Sequence, residues 1–483
     1  MLGLKLKLFR TQMVSLETLI PPYNFYRRLE ANLDLSFVRD LVKDCYASNT
    51  GRPSIDPVTF FKLHLIMFFE GIRSERQLIE TVHLNLAHRW YLGYDLDEPI
   101  PNHSSLSKIR TRYGLEVFHR FFEQIVERCR QAGLVWGKEL YFDGTKVRAN
   151  ADVDSLEPRL EIIAQHLQVL FPDPLSPSIQ SNPLHPPRCF VDKYDGTRLI
   201  ARPGHWYHRT TDQRISLTDP DATPMKSASN QNAALGYHTH YVVDGGKARI
   251  ILAALVTPAS IMDNTPMLDL ERWVCFRWQI FPRIAVGDTK YGTIANIVGL
   301  EQDGIRAYLP TANASRSNHF YPLERFQYIP ERDIFICPQG EELSLQSRCE
   351  TKQHFRYRAK ANICNCCSVK QECTDSQTGR YLARSFFQEY LDRAQRYRET
   401  ESYRKAMRKR QVWVEPLFGE GKQWHGMRRF RLRGLEKVNI EGLLRASGQN
   451  IKRLLKARTG KPPLKPSGSV VLRPIWGWAF AWA

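Results

Sequence analysis

Three acids and four cysteines are the residues of this sequence whose types and settings could do chemistry. Asp143 closes the apolar run Leu140-Tyr141-Phe142 and precedes Gly144, and Asp288 closes Arg283-Ile284-Ala285-Val286-Gly287. Acids at strand ends gather at one edge of an α/β sheet, although a strand-end Asp taken singly is ordinarily a turn former. Glu415 lies in Val412-Trp413-Val414-Glu415-Pro416-Leu417-Phe418, an apolar setting inside the most basic part of the chain. A carboxylate without a cation partner is costly to bury there, so its surroundings suit a metal ligand. Oxygen-only donors favour Mg²⁺ or Mn²⁺ over zinc. Two such ions held by three carboxylates would activate a water or a 3′-hydroxyl and stabilise the leaving oxygen of a phosphodiester. If the segment after Val414 is helical, Lys422 lies about 20° around the axis from Glu415 and Glu420 about 140° away. Glu415 and Lys422 then share a site that Glu420 cannot join, a geometry made conditional by Pro416, Gly419 and Gly421.

Cys337-Pro-x-Gly and Cys364-x2-Cys367-x5-Cys373 supply four thiolates from two turn-like knuckles, the requirement of a tetrahedral structural Zn²⁺ site. Reduced free thiols and disulfides are the rival readings, and a cytosolic chain disfavours the latter. Cys366, next to Cys367, leaves the ligand choice open. Cys45, Cys129, Cys189 and Cys275 are scattered and read as small hydrophobes.

The chain that must position these groups has 483 residues, with 69 Lys+Arg against 50 Asp+Glu and a formal charge of +19, enough length and apolar content for more than one core. Residues 401–465 alone hold 18 Lys+Arg against 5 Asp+Glu, a net +13, in runs such as YRKAMRKR and GMRRFRLRG. Unrelieved bases of this kind point to nucleic-acid phosphates, the rival being a plain basic tail. No stretch reaches the roughly 20 uncharged apolar residues that a bilayer needs, and the amino terminus lacks a secretory signal, so a bacterial cytosolic setting without membrane contact is expected.

Residues 35–135 read as helical. Asp56-Pro57 is an N-cap and first-turn pair opening an apolar helix. Ser74 to Gln77 fits a capping box before one helix ending at Gly93. Asn102 opens a third helix that would expose Ser104, Ser105, Lys108, Arg110 and Arg112, either a DNA-contacting face or the polar exterior of a helix bundle. From residue 139 strands appear: Leu140–Phe142, a hairpin of Gly236–Asp244 and Arg249–Val256 across Gly245-Gly246, Arg283–Asp288 and Ile305–Leu309, with helices over Asn264–Val274 and Thr293–Glu301. The expected class is an α/β core with mixed pairing after an all-α region. An amphipathic helix over Leu156–Leu170 and the Pro/Ser-rich DPLSPSIQSNPLHPP interrupt this core.

Together these motifs resemble bacterial insertion-sequence transposases of the DDE type. The resemblance runs from roughly residue 35 to 460 and rests on FFKLHLIMFFEGIRSERQL through IPNHSSLSKIRTR, YFDGTKVRANAD, TDPDA, GYHTHYVVD, VTPASIMDNTPML, GDTKYG and VEPLFGEGKQWHGMRRFRLRGLEKV, in that order. It implies a helical amino-terminal transposase domain over 1–135. A ribonuclease-H-like mixed sheet flanked by helices follows over 136–312, with an insertion at about 155–235. A Cys-rich, zinc-ribbon-like insertion over 313–385, a final helical part of the core over 386–462 and a tail over 463–483 complete it. Asp143, Asp288 and Glu415 become the metal-binding catalytic triad for two Mg²⁺ or Mn²⁺ ions. Lys422, Arg428, Arg429, Arg431 and Arg433 would bind transposon-end DNA and the scissile phosphate. The family's tyrosine-arginine-glutamate-lysine signature is partly present: Gln411 stands four residues before Glu415, and Arg410 substitutes for the arginine. GDTKYG replaces a commoner form that has a small residue between the Asp and the Tyr. The implied activity is metal-dependent strand cleavage at terminal inverted repeats and strand transfer into target DNA, by a homodimer on double-stranded DNA at the bacterial nucleoid. A catalytically inactive or domesticated transposase-derived DNA-binding protein is the alternative, and the presence of all three acids favours the enzyme.

Overall fold

The structure is a computed structural model that describes residues 13–47, 54–158, 189–191, 198–200, 214–225, 233–311 and 320–459. The Pro/Ser-rich stretch, most of the helix expected over Leu156–Leu170 and the tail over 463–483 lie outside these residues.

Helices come first: α1 (Leu16–Leu19), α2 (Phe25–Asn32), α3 (Val38–Val42), α4 (Pro57–Phe69), α5 (Glu75–Leu84), α6 (Leu86–Leu92) and α7 (His103–Gln131). Asp56 caps α4 by accepting from the Val58 N–H at 3.1 Å, with Pro57 in the first turn where its missing N–H costs nothing. Ser74 caps α5. The single helix expected up to Gly93 is two, because Asn85 leaves helical backbone and caps α6 by accepting from the His88 N–H at 3.1 Å. Asn102 opens α7, which bends at Gly114 (φ +63°). Of the face expected to be exposed there, Arg110 is buried and ion-paired with Glu75, so it belongs to the interior.

The strands are β1 (Glu139–Arg148), β2 (Leu156–Pro158), β3 (Cys189–Val191), β4 (Arg198–Ile200), β5 (Arg214–Ser216), β6 (Thr223–Met225), β7 (Ala234–Asp244), β8 (Ile251–Pro258), β9 (Ile284–Val286) and β10 (Arg306–Tyr308). Leu156–Pro158 is therefore strand, paired with β5, where a helix start was expected. The main sheet runs β10-β9-β1-β7, with β6 and β8 both pairing with β7. β1 is antiparallel to β7 and parallel to β9, and β10 is parallel to β9, the mixed pairing the sequence implied. Helices α8 (Met267–Trp278) and α9 (Ile294–Gln302) alternate with β8, β9 and β10.

A second, five-stranded antiparallel sheet follows: β11 (Gln327–Ile329), β12 (Ile334–Ile336), β13 (Glu342–Cys349), β14 (His354–Ala359) and β15 (Tyr381–Ser385). Short helices α10 (Ala361–Asn365) and α11 (Lys370–Cys373) sit between β14 and β15. This sheet has its own small core around Phe326, Phe335, Leu343 and Tyr357. The chain then returns through α12 (Gln388–Tyr397), α13 (Glu401–Trp413), α14 (Glu415–Trp424) and the long α15 (Leu435–Thr459).

α15 joins the helical region to the main sheet, and one continuous core holds residues of both. Its contact with β8 is specific. Asn450 accepts from the Ile251 N–H at 2.9 Å and donates to the Ile251 carbonyl at 2.8 Å, and Asn439 does the same at Val256 at 2.8 and 2.9 Å. Eleven residues of helix and five of strand both advance about 16.5 Å, so the two amides meet their partners in step. Residues an odd number apart normally face opposite edges of a strand. The bulge opposite Val242/Val243 restores Ile251 and Val256 to the same edge. Two buried amides thus satisfy a strand edge that would otherwise carry unpaired backbone groups.

Candidate active site

Register brings the first two acids together. Tyr141 of β1 pairs with Val286 of β9 in parallel, and Asp143 and Asp288 each lie two residues further on. The register therefore delivers both strands to the same end of the sheet, and the charge of Asp288 reaches the Asp143 carboxyl. Asp143 is not at a strand end as expected, since β1 continues to Arg148 along β7, with Asp143 opposite Tyr241. What ends at Tyr141 is the pairing with β9, which opens room beside Asp143.

Glu415 arrives from the other direction. Lys409, near the end of α13, pairs with Glu139 at the start of β1 at 2.6 Å, fixing the helix end over the strand. Arg410, the next residue, reaches Glu415 at 3.2 Å and Asp143 at 3.6 Å, a guanidinium between two carboxylates. Helix α14 forms despite its glycines and begins at Glu415 with Pro416 in its first turn. It docks by the stacking of Phe418 on Tyr241, with ring centroids 4.7 Å apart, and by Gln449 donating to the Leu417 carbonyl at 2.8 Å. Gly421 faces Met427, where a Cβ would come within 2.7 Å of the sulfur. Lys422, on the same side of α14 as Glu415, feels the charge of Asp143. Glu420 points away, 3.3 Å from Arg453 and paired with Lys452.

Burial pushes the Asp143 carboxyl up to about 6, with the charges of Asp288 and Glu415 adding to the rise while Arg410 and the Gly144 N–H oppose it. Glu415 is half exposed, with 52% of its side-chain surface open, whereas Asp143 retains 13%. The site is therefore a concentration of carboxylates with one wall open to solvent. As the side chains stand, no group of three or more His, Cys, Asp or Glu among the described residues is arranged to hold a metal ion.

The predicted arginines divide. Arg428, Arg429 and Arg433 are exposed. Their segment is stitched to the end of β1: the Arg148 N–H donates to the Arg428 carbonyl at 3.1 Å and the Phe430 N–H to the Arg148 carbonyl at 2.8 Å. Arg431 turns inward, 2.8 Å from Glu75, and is not brought to the acids.

In the second sheet Cys337, Cys364, Cys367 and Cys373 are neighbours. Burial raises the Cys373 thiol, and Cys364, Cys337 and Cys367 raise it further. The Glu341 N–H points at Cys337 Sγ at 3.3 Å and the Arg380 N–H at Cys364 Sγ at 3.4 Å. Cys366 is exposed, and Cys349 lies near the Thr351 hydroxyl.

Two residues at the acids were not singled out from sequence. Tyr291 is buried, its phenol held well above the ordinary range by burial and by Asp143, Asp263 and Asp288. Asp263 lies against Gly144, and its carboxylate pairs with Lys290. An aromatic three residues after Asp288, and an acid in the polar turn after β8, were the available signals.

No curated protein and no solved structure matches the chain. Residues 14–112 match the family described as a transposase domain (DUF772), and residues 336–455 match the transposase DDE domain. The second match contains Glu415, Lys422 and all four clustered cysteines, while Asp143 and Asp288 precede it. Two transposase-specific families match this one chain on either side of the mixed sheet, and together they support an insertion-sequence transposase of the DDE type.

Proposed function

We propose that the chain cleaves DNA strands at the terminal inverted repeats of its element and joins the freed 3′-ends to target DNA, using a ribonuclease-H-like core. The observation that supports this reading is Arg410 reaching both Asp143 and Glu415, with the charge of Asp288 acting on Asp143 and that of Asp143 on Lys422, on a partly open face. Their fit to a divalent metal rests on donor chemistry and charge: all donors are carboxylate oxygens, and the Asp143 carboxyl, raised by burial and further by Asp288 and Glu415, is one whose ionisation a bound cation would favour. Two Mg²⁺ or Mn²⁺ ions held by these three residues would supply Lewis-acid activation of the attacking hydroxyl and charge neutralisation at the phosphate. The protein's own groups bind and orient the strand. Lys422 and the exposed Arg428, Arg429 and Arg433 engage phosphates next to the acids, and Arg410 can pass from the carboxylates to the substrate. Arg431 braces the arginine segment against Glu75.

Two element ends must meet for transposition, so a homodimer on DNA is the expected assembly, working at the nucleoid in the cytoplasm. Among the described residues no helix is long and apolar enough to cross a membrane. Cys337, Cys364, Cys367 and Cys373 would hold a structural Zn²⁺ that orders the second sheet, whose own core is small.

The test is cleavage of a DNA carrying the element's own ends in Mg²⁺ or Mn²⁺, with Asp143→Ala, Asp288→Ala and Glu415→Ala in parallel. Each should abolish cleavage and leave salt-sensitive DNA binding intact. Full activity in Glu415→Ala would remove it from the triad, and binding without cleavage by the wild type would support the inactive alternative. Metal analysis of purified protein should find about one Zn²⁺ per chain, and less than about half an equivalent would overturn the cysteine assignment.

A further inference from the structure

A second ionic cluster abuts the acids and has no place in the reading above. Asp263, in the turn between β8 and α8, is 8% exposed. Its Oδ2 accepts from Lys290 Nζ at 2.6 Å, and its Oδ1 lies 3.1 Å from His238 Nδ1, whose hydrogen bond goes instead to the Ile261 carbonyl at 2.9 Å. His240, two residues along β7, holds the Thr257 hydroxyl at 2.8 Å. The cluster presses on β1 immediately after Asp143: a Cβ on Gly144 would come within 3.2 Å of Asp263 Oδ1 and 3.4 Å of His240 Nδ1.

Lys290 links this cluster to the acids. Its backbone N–H donates to Asp288 Oδ1 at 2.8 Å, and its ammonium charge acts on both Asp288 and Asp143. Yet 63% of its side chain is open to solvent. A solvent-exposed lysine normally samples many rotamers, and fixing it costs side-chain entropy. Here a buried carboxylate fixes the ammonium at one edge of the carboxylate site. An ammonium has three donors. Asp263 takes one, and with 63% of the side chain open to solvent the ammonium is accessible to a phosphate.

We propose that Lys290, clamped by Asp263, contacts a backbone phosphate of the DNA strand lying on Asp143 and Asp288, with Asp263 as its positioning residue. The inference rests on reading those acids as the strand-cleavage site. The opposing account makes Lys290 only a counter-ion that neutralises a buried acid.

Salt dependence separates the two. Anisotropy of a short fluorescein-labelled duplex of arbitrary sequence is measured over a salt series for wild type, Lys290→Gln, Lys290→Ala, Lys290→Arg and Asp263→Asn, with a thermal melt of each. Losing one phosphate contact should lower the slope of log K against log salt by about one and weaken binding about fivefold in Lys290→Gln and Lys290→Ala. Lys290→Arg should recover the slope, and Asp263→Asn should fall between. An unchanged slope in a folded Lys290→Gln or Lys290→Ala, with only the melting temperature lowered, overturns the proposal and leaves a structural ion pair. Because this readout is binding, it is independent of the cleavage assay: a wild type that binds without cutting sinks the functional reading while the Lys290 slope still decides this one.

Discussion

Asp143→Asn should stabilise the metal-free protein, and should do so only above a definite pH. Asparagine keeps the side-chain oxygen that accepts from the Gly144 N–H at 3.0 Å, and Arg410 keeps its contact with Glu415 at 3.2 Å, so the substitution removes chiefly a charge. The Asp143 carboxyl is raised from 3.8 to about 6, foremost by burial. Such a displacement corresponds to about 3 kcal/mol. The sign follows from linkage: a group whose folded value is raised contributes stability that is present below its unfolded value and lost as pH climbs through the folded one. In EDTA the wild type should therefore match Asp143→Asn near pH 4 and fall behind it by about 3 kcal/mol at pH 7.5, or about 4–6 °C in melting temperature for a unit of this size. Adding Mg²⁺ should raise the wild-type melt and leave the variant unmoved. Equal melts at pH 7.5 in EDTA, or a less stable variant, would refute the reasoning, because they would mean that the Arg410 ion pair outweighs the burial of the charge.

Other substitutions probe what holds the site in place. Asn450→Ala leaves the N–H and carbonyl of Ile251 buried without partners and should cost about 2–4 kcal/mol in denaturant unfolding; a loss under about 0.5 kcal/mol would show that water reaches that edge. Gly448→Ala puts a Cβ 2.5 Å from the Phe68 ring and should lower the melting temperature through a strained α15–α4 contact, whereas an unchanged melt would mean that the ring moves freely. Burial opposes ionisation of Glu420, but His425, Arg453 and Lys452 outweigh it and hold the carboxyl well below the ordinary range. A lowered carboxyl contributes stability above its unfolded value that is lost as pH falls through the folded one, so Glu420→Gln should be destabilised at pH 7, with the deficit beginning to shrink only below about pH 4.5, and should retain cleavage. Loss of cleavage with an unchanged melt would move Glu420 into the catalytic set.

Much of the local structure was legible in the chain because its signals are local. Caps at Asp56, Ser74 and Asn102 act over three or four residues, and the Gly245-Gly246 turn sits between two apolar runs. Asn85 shows the margin of that reading: it resembles any polar helix residue until its backbone turns extended and its side chain caps the next helix. The settings of the three acids are also local signals, Asp143 and Asp288 following apolar runs and Glu415 lying in an apolar stretch of a basic segment. The 20° and 140° offsets on a helix already separated Lys422 from Glu420.

What the sequence determined by itself, then, is the inventory: which elements form, which carboxylates and thiols are unusual in their settings, and where the positive charge is concentrated. The tertiary structure decided the partnerships. That Arg431 and Arg110 converge on Glu75 while Arg428 stays exposed, and that Asp263 holds Lys290 beside Asp288, depend on residues far apart in sequence. Arginines in one run share the same local signal, and only the surface against which each packs separates an interior brace from an exposed cation. The register of β1 on β9, set by which faces are buried, decides that two acids 145 residues apart both lie just past the last paired residues, Tyr141 and Val286.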